Sequence, residues 1–328
     1  PRLAATVNLN SSTRLRGAVG QYTQSPGYDK LVQSNSFVDL SHAGTLDLPN
    51  ARSLHASLAF ERDLAPGIEA RAEAYYKTFS QLAVGRLETE AERAARVAEY
   101  DFPSELAQDI PSAPQITSVP VGDGRGRAYG FDLYLSKRPS GDSRLAGWVA
   151  YTYGVASRET YGRTYPFDYD RRHALNVVDS IRIRDWLEVA TTLRVYSGFP
   201  TTPVRGIRVA ATDDSLDLDH DGSTSDLVPQ RDVAGNLVYT LDYGGVSDIN
   251  SARLPLYARL DLRLSFRPGG RQGRWLIYVD MINVLNRKNV TSLAKELAYD
   301  PGSDRPMLVE REGGSLPFLP SFGVRFRF

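Results

Sequence analysis

The chain has 328 residues, 39 of them basic and 39 acidic, no cysteine and a formal net charge of zero. This balance leaves no basic footprint for nucleic acid, and the lack of Cys excludes disulfide scaffolds and thiolate metal or redox centres. No run of about 18 apolar residues is present, so no transmembrane helix is expected; a mean hydropathy of −0.34 still suits a membrane barrel, whose strands are half polar.

Only five of the basic residues are Lys, and Arg is the better partner in crowded, partly desolvated ion-pair networks. The opening Pro1-Arg2-Leu3 already lies inside an alternating segment with no signal peptide before it, so Pro1 is expected to be a boundary rather than a natural start.

Leu3, Ala5, Val7 and Leu9 alternate with Ala4, Thr6 and Asn8, and Asn10–Thr13 forms a turn. Leu15, Gly17 and Val19 then alternate with Arg14, Arg16 and Ala18, and a loop runs from Pro26 to Asn50. Leu54, Ala56, Leu58 and Phe60 oppose His55, Ser57 and Glu61. Asp63–Gly67 is a tight turn, after which Ile68, Ala70, Ala72, Ala74 and Tyr76 oppose Glu69, Arg71, Glu73, Tyr75 and Lys77. Only a period of two separates these sets; a helix would mix them.

Residues 85–123 break the pattern, and Glu88–Tyr100 is rich enough in Ala, Glu and Arg to form a short helix. Tyr129, Phe131, Leu133 and Leu135 resume the alternation, and strands are expected near 144–158, 168–183 and 186–198. A long polar loop from Phe199 to Ala252 is expected to carry a hairpin between Val204–Ala210 and Leu237–Asp242. The clearest strand sets Leu256, Ala258, Leu260, Leu262, Leu264 and Phe266 against Tyr257, Arg259, Asp261, Arg263, Ser265 and Arg267. Pro268–Gly273 turns it into a strand from Trp275, and a loop from about 287 to 319 leads to Phe322, Val324, Phe326 and Phe328, opposed by Gly323, Arg325 and Arg327.

About eleven strands of roughly 9 to 15 residues suit a tilted bilayer span. Short and long connections alternate from end to end, as in transmembrane barrels with short periplasmic turns and long extracellular loops. A soluble sandwich has little reason for strands this long. The fold class is therefore all-β: an antiparallel up-and-down transmembrane β-barrel.

Several segments resemble the C-terminal half of the barrel of a TonB-dependent outer-membrane receptor. They are Thr13–Gly20 with Ser25-Pro26, Gly126–Phe131, Tyr169–Asn176, Arg194–Pro203, Arg253–Arg263, Asn283–Asn286 and the strand ending on Phe328. The resemblance runs over nearly the whole chain and implies half of a barrel of about twenty-two strands. Residues 1–328 would then be one part of a single barrel domain, with the plug and the first strands elsewhere. It also implies the outer membrane of a Gram-negative bacterium, outer-membrane lipid, a plug domain and the TonB–ExbB–ExbD system as partners, and active uptake of a siderophore, vitamin, oligosaccharide or peptide. A passive porin-like channel or an adhesion barrel is the alternative, and a soluble β protein a third.

On this reading Arg194, Arg259, Asp261, Arg263, Arg325 and Arg327 belong to a lumen wall, together with Arg14, Arg16, Glu69, Arg71, Glu73, Asp132 and Glu188. Trp148, Trp186 and Trp275 are expected in interfacial girdles. Residues that stack on a ligand should stand on outer loops, which selects Tyr28, Tyr161, Tyr165, Phe167, Phe199 and Tyr243. Asp217, Asp219, Asp221 and Gly222 match the opening of a calcium loop, with Asp226 as a fourth carboxylate. Position twelve of that loop is Val228 rather than Glu, so the choice lies between a looser Ca²⁺ site and a plain acidic turn.

Gly122–Gly126 precedes a strand rather than a helix, so a phosphate cradle is disfavoured against a loop feeding that strand. Asp168, Asp170 and His173 lie close together, but no G-x-S-x-G or H-E-x-x-H accompanies them. Charge pairs with Arg171 and Arg172 at a barrel rim are expected there instead, and no enzymatic activity.

Overall fold

The alternating segments become strands because each carries one apolar and one polar face, so pairing satisfies the backbone while the faces go to different surroundings. The computed structural model describes every residue except 26–47, 140–142, 216–225, 300, 301, 304 and 315. Eleven long strands follow one another: β1 Arg2–Asn10, β2 Thr13–Gln24, β3 Ala51–Ala65, β4 Ile68–Leu87, β5 Ile116–Lys137, β6 Leu145–Thr160, β7 His173–Arg184, β8 Leu187–Tyr196, β9 Tyr257–Phe266, β10 Trp275–Ile282 and β11 Leu319–Phe326. They pair in chain order into one antiparallel meander. Among the described residues the sheet is open: β1 pairs only with β2 and β11 only with β10. Among the described residues β11 leaves a free edge and does not pair with Leu3–Leu9.

Three turns between neighbours are two residues long. Asn10 builds the first by accepting the Ser12 N–H at 2.9 Å, and Pro66-Gly67 builds the second, with Gly67 at φ +77°, where a β-carbon would be strained. Long connections leave from the opposite end. The one after β4 holds the expected helix, α1, at Glu90–Ala98, capped by Thr89 with Glu92 reaching back to it. In the loop after β8, Gly206–Val209 pairs with Tyr239–Asp242, close to the expected hairpin.

Three segments differ from expectation. Strand β5 starts at Ile116, not near Tyr129, so Gly122–Gly126 lies within a strand rather than a loop. Its pairing with β4 slips at Phe79/Leu82, Leu82/Val84 and Gly85/Leu87; such bulges accommodate Pro120 and the glycines. After Tyr161-Gly162 the chain folds back as a short strand, Arg163–Pro166, on β6. The final loop contains a hairpin of Val290–Ala298 with Met307–Gly314.

The apolar face is exposed and bears two aromatic levels. Near the long loops Tyr76 stacks on Tyr129 at 6.4 Å, and Phe131 lies 5.6 Å from Tyr153. Near the short turns Trp186 meets Phe266 at 5.5 Å and Trp275 meets Phe326 at 4.6 Å. Leucines and valines such as Leu133, Leu135, Val149 and Leu264 fill the band between. Such a face fits a lipid-facing band between aromatic girdles. Trp148 departs from its expected place. It shares a register row with Ser136 and Val178 and packs 6.1 Å from Tyr134, which puts it on the polar face. One acid breaks the apolar face: Asp179, opposite Gly147, accepts the Thr191 hydroxyl.

Packing on the polar face depends on small residues under large ones. Tyr75, Gly130 and Gly154 share one row. A β-carbon on Gly130 would come within 2.8 Å of the Tyr75 hydroxyl, and one on Gly154 within 2.9 Å. The largest side chains with almost no exposure are Val209, Asn283, Asn289, Asp170 and Asp214, at strand ends or in the long loops. Four of these five are polar, so the tightest interior is a hydrogen-bonded loop cluster rather than an apolar core.

Candidate functional site

Alternation carries the expected wall residues to the polar face. Arg194 and Arg259 are register partners. Their shared acid is Asp261, 2.7 Å from Arg194 Nη1 and 2.7 Å from Arg259 Nε. Asp261 also accepts the Asn283 N–H at 2.9 Å, which fixes the start of the final loop. Arg263 grips Asp280 with two bonds of 2.5 and 2.7 Å. Across the sheet, Glu61 lies 3.4 Å from Arg14 and 3.3 Å from Arg16. Arg325 and Arg327 share the polar face but form no ion pair among the described residues.

Beyond the long-loop end of this wall, three connections and the ends of β4, β5 and β6 converge on a cavity of about 730 Å³. Tyr161, Tyr165 and Tyr243 line it, as does Tyr169, which the sequence did not single out. Arg158 from β6 and Lys295 from the 290–298 strand bring the positive charge. Phe167 and Phe199 stand behind the lining, at 5.5 and 6.0 Å from Tyr169. Arg158 lies 4.9 Å over the Phe167 ring. Tyr28 lies outside the described residues, and so do Asp217, Asp219 and Asp221. Asp226 accepts the Asp214 N–H through its main-chain carbonyl at 2.9 Å.

The cavity is held open by polar ties between loops. Asp170 has no exposed side chain. Its carboxylate accepts the Ala156 N–H at 2.6 Å, Arg172 Nε at 2.8 Å and Arg253 Nη2. Arg253 also donates to the carbonyl oxygens of Asp170 at 2.7 Å and Gly198 at 3.2 Å, tying the 161–172 connection to the 197–256 loop. Asn250, at φ +54°, donates to Asp168 at 2.7 Å and to the Pro166 carbonyl at 2.9 Å. Lys295 donates to the Thr202 carbonyl and sits 5.5 Å over the Tyr243 ring.

The rim charge pairs expected at Asp170 are present, through Arg172 and Arg253. Arg171 instead lies between two rings, 4.1 Å from Phe199 and 4.4 Å from Tyr196. His173 turns its Nδ1 to the Tyr151 hydroxyl at 2.8 Å, and among the described residues no nucleophile–base pair is recorded around it. The lining thus sets four tyrosines and two cations around one acid, Asp168, that is already engaged by Asn250.

On the far side of Ile116, Thr202, Tyr243 and Ile249 lies a second chamber of about 470 Å³. Helix α1 braces its wall: Arg96 donates to the carbonyls of Pro111 at 2.6 Å and Ala113 at 3.1 Å, and grips Glu88 at 2.7 Å. The Arg96 hydrogen bond keeps the Glu88 carboxyl below its ordinary range. Glu92 is held down to about 2, first by Arg86 and then by the N–H and hydroxyl of Thr89. A depressed carboxyl contributes fully above its ordinary value and loses that contribution as pH falls through the folded one. Hydrogen exchange over residues 89–113, corrected for its intrinsic pH dependence, should therefore show α1 unchanged down to about pH 4.5 and loosening from there towards pH 2. Loss of protection already between pH 6 and about 4.5 would contradict this arrangement.

No protein-family model matches the sequence, and no curated protein is similar to it. Solved structures are. The ferric-catecholate import receptor Fiu from Escherichia coli K12 is 12% identical with a TM-score of 0.56; the match covers 100% of this chain and 34% of that one. The ferripyoverdine receptor of the Pseudomonas aeruginosa outer membrane is 10% identical with a TM-score of 0.53, covering 99% and 32%. The copper transporter OprC is 12% identical with a TM-score of 0.54, covering 100% and 39%. This chain spans about a third of the length of these structures, and its fold is that of the TonB-dependent outer-membrane receptor barrel.

Proposed function

We propose that the chain forms part of the barrel wall and the outer ligand-catching loops of a TonB-dependent outer-membrane receptor, whose cargo is a scarce, anionic, ring-bearing small molecule. The observation that carries this reading is the loop cavity of about 730 Å³ lined by Tyr161, Tyr165, Tyr169 and Tyr243 with Arg158 and Lys295. A cation beside an aromatic ring contributes about 0.5–2 kcal/mol towards a ligand as burial increases. The apolar face between the two aromatic levels meets outer-membrane lipid. The arginine-rich face lines the lumen and receives a plug domain. Energy for release comes through TonB, ExbB and ExbD, and no covalent chemistry on the cargo is involved.

Among the cargoes open to such a barrel, a ferric catecholate fits the chemistry of this cavity and is what the similar receptor Fiu imports. Uncharged oligosaccharides fit it poorly, because nothing in them uses the two cations. The test is iron-limited growth of cells that depend on the full-length protein and are fed ferric 2,3-dihydroxybenzoate. Growth should require TonB, and Arg158→Ala with Lys295→Ala should lower uptake at subsaturating cargo by about tenfold or more. Growth that persists without TonB would make the protein a passive channel.

A further inference from the structure

The polar face carries a second aromatic site that the loop cavity does not account for. Near the short turns, Tyr134 lies three residues from the end of β5 and Trp148 three from the start of β6. Their rings stand 6.1 Å apart, tilted by 32°. The Arg71 guanidinium lies 5.8 Å over the Tyr134 ring. All three line a cavity of about 580 Å³. Arg71 is exposed and both rings are half-buried, so each keeps surface that a ligand can reach.

The charges around this cavity leave one cation in surplus. Glu69, also in the lining, is paired with Arg138 at 2.9 Å. Glu61, the register partner of Arg71, is held by Arg14 and Arg16. Lys137 belongs by alternation to the apolar face. Glu73 and Asp132 stand opposite each other one row nearer the loops; they bound the site on that side, because an anion is repelled there. A lone guanidinium beside two accessible rings takes the same class of molecule as the loop cavity, a planar ring bearing negative charge. It holds that molecule less firmly, with two rings and one cation in place of four tyrosines and two cations.

Both sites stand on one strand. Trp148 and Arg158 lie on the same face of β6, ten residues apart, which is about 33 Å along a strand. Between them alternation puts Ala150, Thr152, Gly154 and Ala156 on that face, with the Tyr75 hydroxyl leaning over Gly154. The wall between the two sites is thus built of small side chains.

We propose that Arg71, Tyr134 and Trp148 form an exit station, a weaker site that takes the ring-bearing anion after it leaves the loop cavity. The inference rests on the receptor reading above and adds to it a second binding step near the short turns. Passage through a lumen needs binding firm enough to admit the molecule and divided enough to release it. A weaker site further along the wall meets the second need.

The test uses cells that depend on the full-length protein and are fed radiolabelled ferric 2,3-dihydroxybenzoate, with TonB-dependent uptake followed against concentration. Trp148→Ala with Arg71→Gln should lower the maximal rate by about fivefold. The half-saturating concentration, which the loop cavity sets, should stay at the parent's value. Trp148→Phe with Arg71 kept retains a ring and should recover the rate. Arg71→Gln alone replaces an exposed side chain and should cost about threefold, so it carries the test if the Trp148→Ala barrel does not fold. An unheated gel-mobility check reports the fold of each variant. An unchanged maximal rate overturns the exit station alone, and so does a Trp148→Phe barrel as slow as the double variant. Entry of a large antibiotic that the parent excludes overturns it too, because these side chains would then be holding the plug. A parent that takes up no ferric 2,3-dihydroxybenzoate overturns the catecholate reading of the loop cavity and this inference with it.

Discussion

Replacing Gly130 by Val is expected to destabilise the wall by about 3 kcal/mol or more, the upper range for overpacking a tight site. A β-carbon at this position would lie 2.1 Å from the Tyr153 carbonyl oxygen, 2.8 Å from the Tyr75 hydroxyl and 2.9 Å from the Gly154 α-carbon. Two of these three atoms are main chain and cannot rotate away. The strain must therefore be taken up by parting β5 from β6, which are paired continuously from Arg125 to Lys137. Removing the tyrosine ring with Tyr75→Ser should relieve little of the loss, because the nearer clash is with backbone. Gly206 is the control: nothing lies within 4 Å of its β-carbon position, so Gly206→Ala should stay within about 0.5 kcal/mol. Urea titration of the full-length barrel, followed by the mobility of unheated samples, reads both. A Gly130→Val barrel as resistant as its parent would mean that β5 and β6 are not packed as described.

Tyr75 and Gly130 also mark where the sequence could be read and where it could not. A period of two is local information, and the register sets Arg194, Arg259, Asp261 and Arg263 on one face of the sheet. Alternation fails where bulges slip the register. Pro120 and the glycines of Gly122–Gly126 read as a loop, yet they lie in β5, because three slips against β4 absorb them. Trp148 was misplaced for another reason. Its aromatic character suggested an interface, whereas its parity, counted from Val149, puts it with Ser136 on the polar face. The cavity was legible only in part. Tyr161, Tyr165 and Tyr243 were selected as loop aromatics, but Arg158, Asn250 and Lys295 come from a strand, a turn and a hairpin up to 137 positions apart, and no spacing rule joins them. Asn250 did leave a faint signal, since Asn is among the residues that tolerate the left-handed backbone it adopts.

Asp170→Asn is expected to unfasten the loops while leaving the sheet intact. Asp170 is fully buried and accepts from one backbone N–H and two guanidinium groups. The amide keeps the shape, removes the negative charge and turns one acceptor into a donor that faces other donors. Removing one partner of a buried ion pair costs about 3–5 kcal/mol. Arg172 and Arg253 keep 35% and 31% of their side chains exposed, and water screens part of what they lose. The lower end, about 3 kcal/mol, is therefore expected. The loss should be local, because Asp170 joins the 161–172 connection to Arg253 and, through Arg253, to Gly198, while β6 and β7 stay paired from Leu145 to Tyr153. On intact cells carrying the full-length protein, added protease should cut within 161–172 or 197–256 in the variant and leave the parent whole. Tyr165, Asp168 and Tyr169 would lose their placement in the cavity, so affinity for ferric 2,3-dihydroxybenzoate should fall with the cleavage and urea resistance of the barrel should not. Arg253→Lys in the parent keeps the positive charge but cannot span Asp170 Oδ2 and the two carbonyls at once, so it should be cut at an intermediate rate. A variant that loses urea resistance without loop cleavage would show that Asp170 holds the wall and not the site.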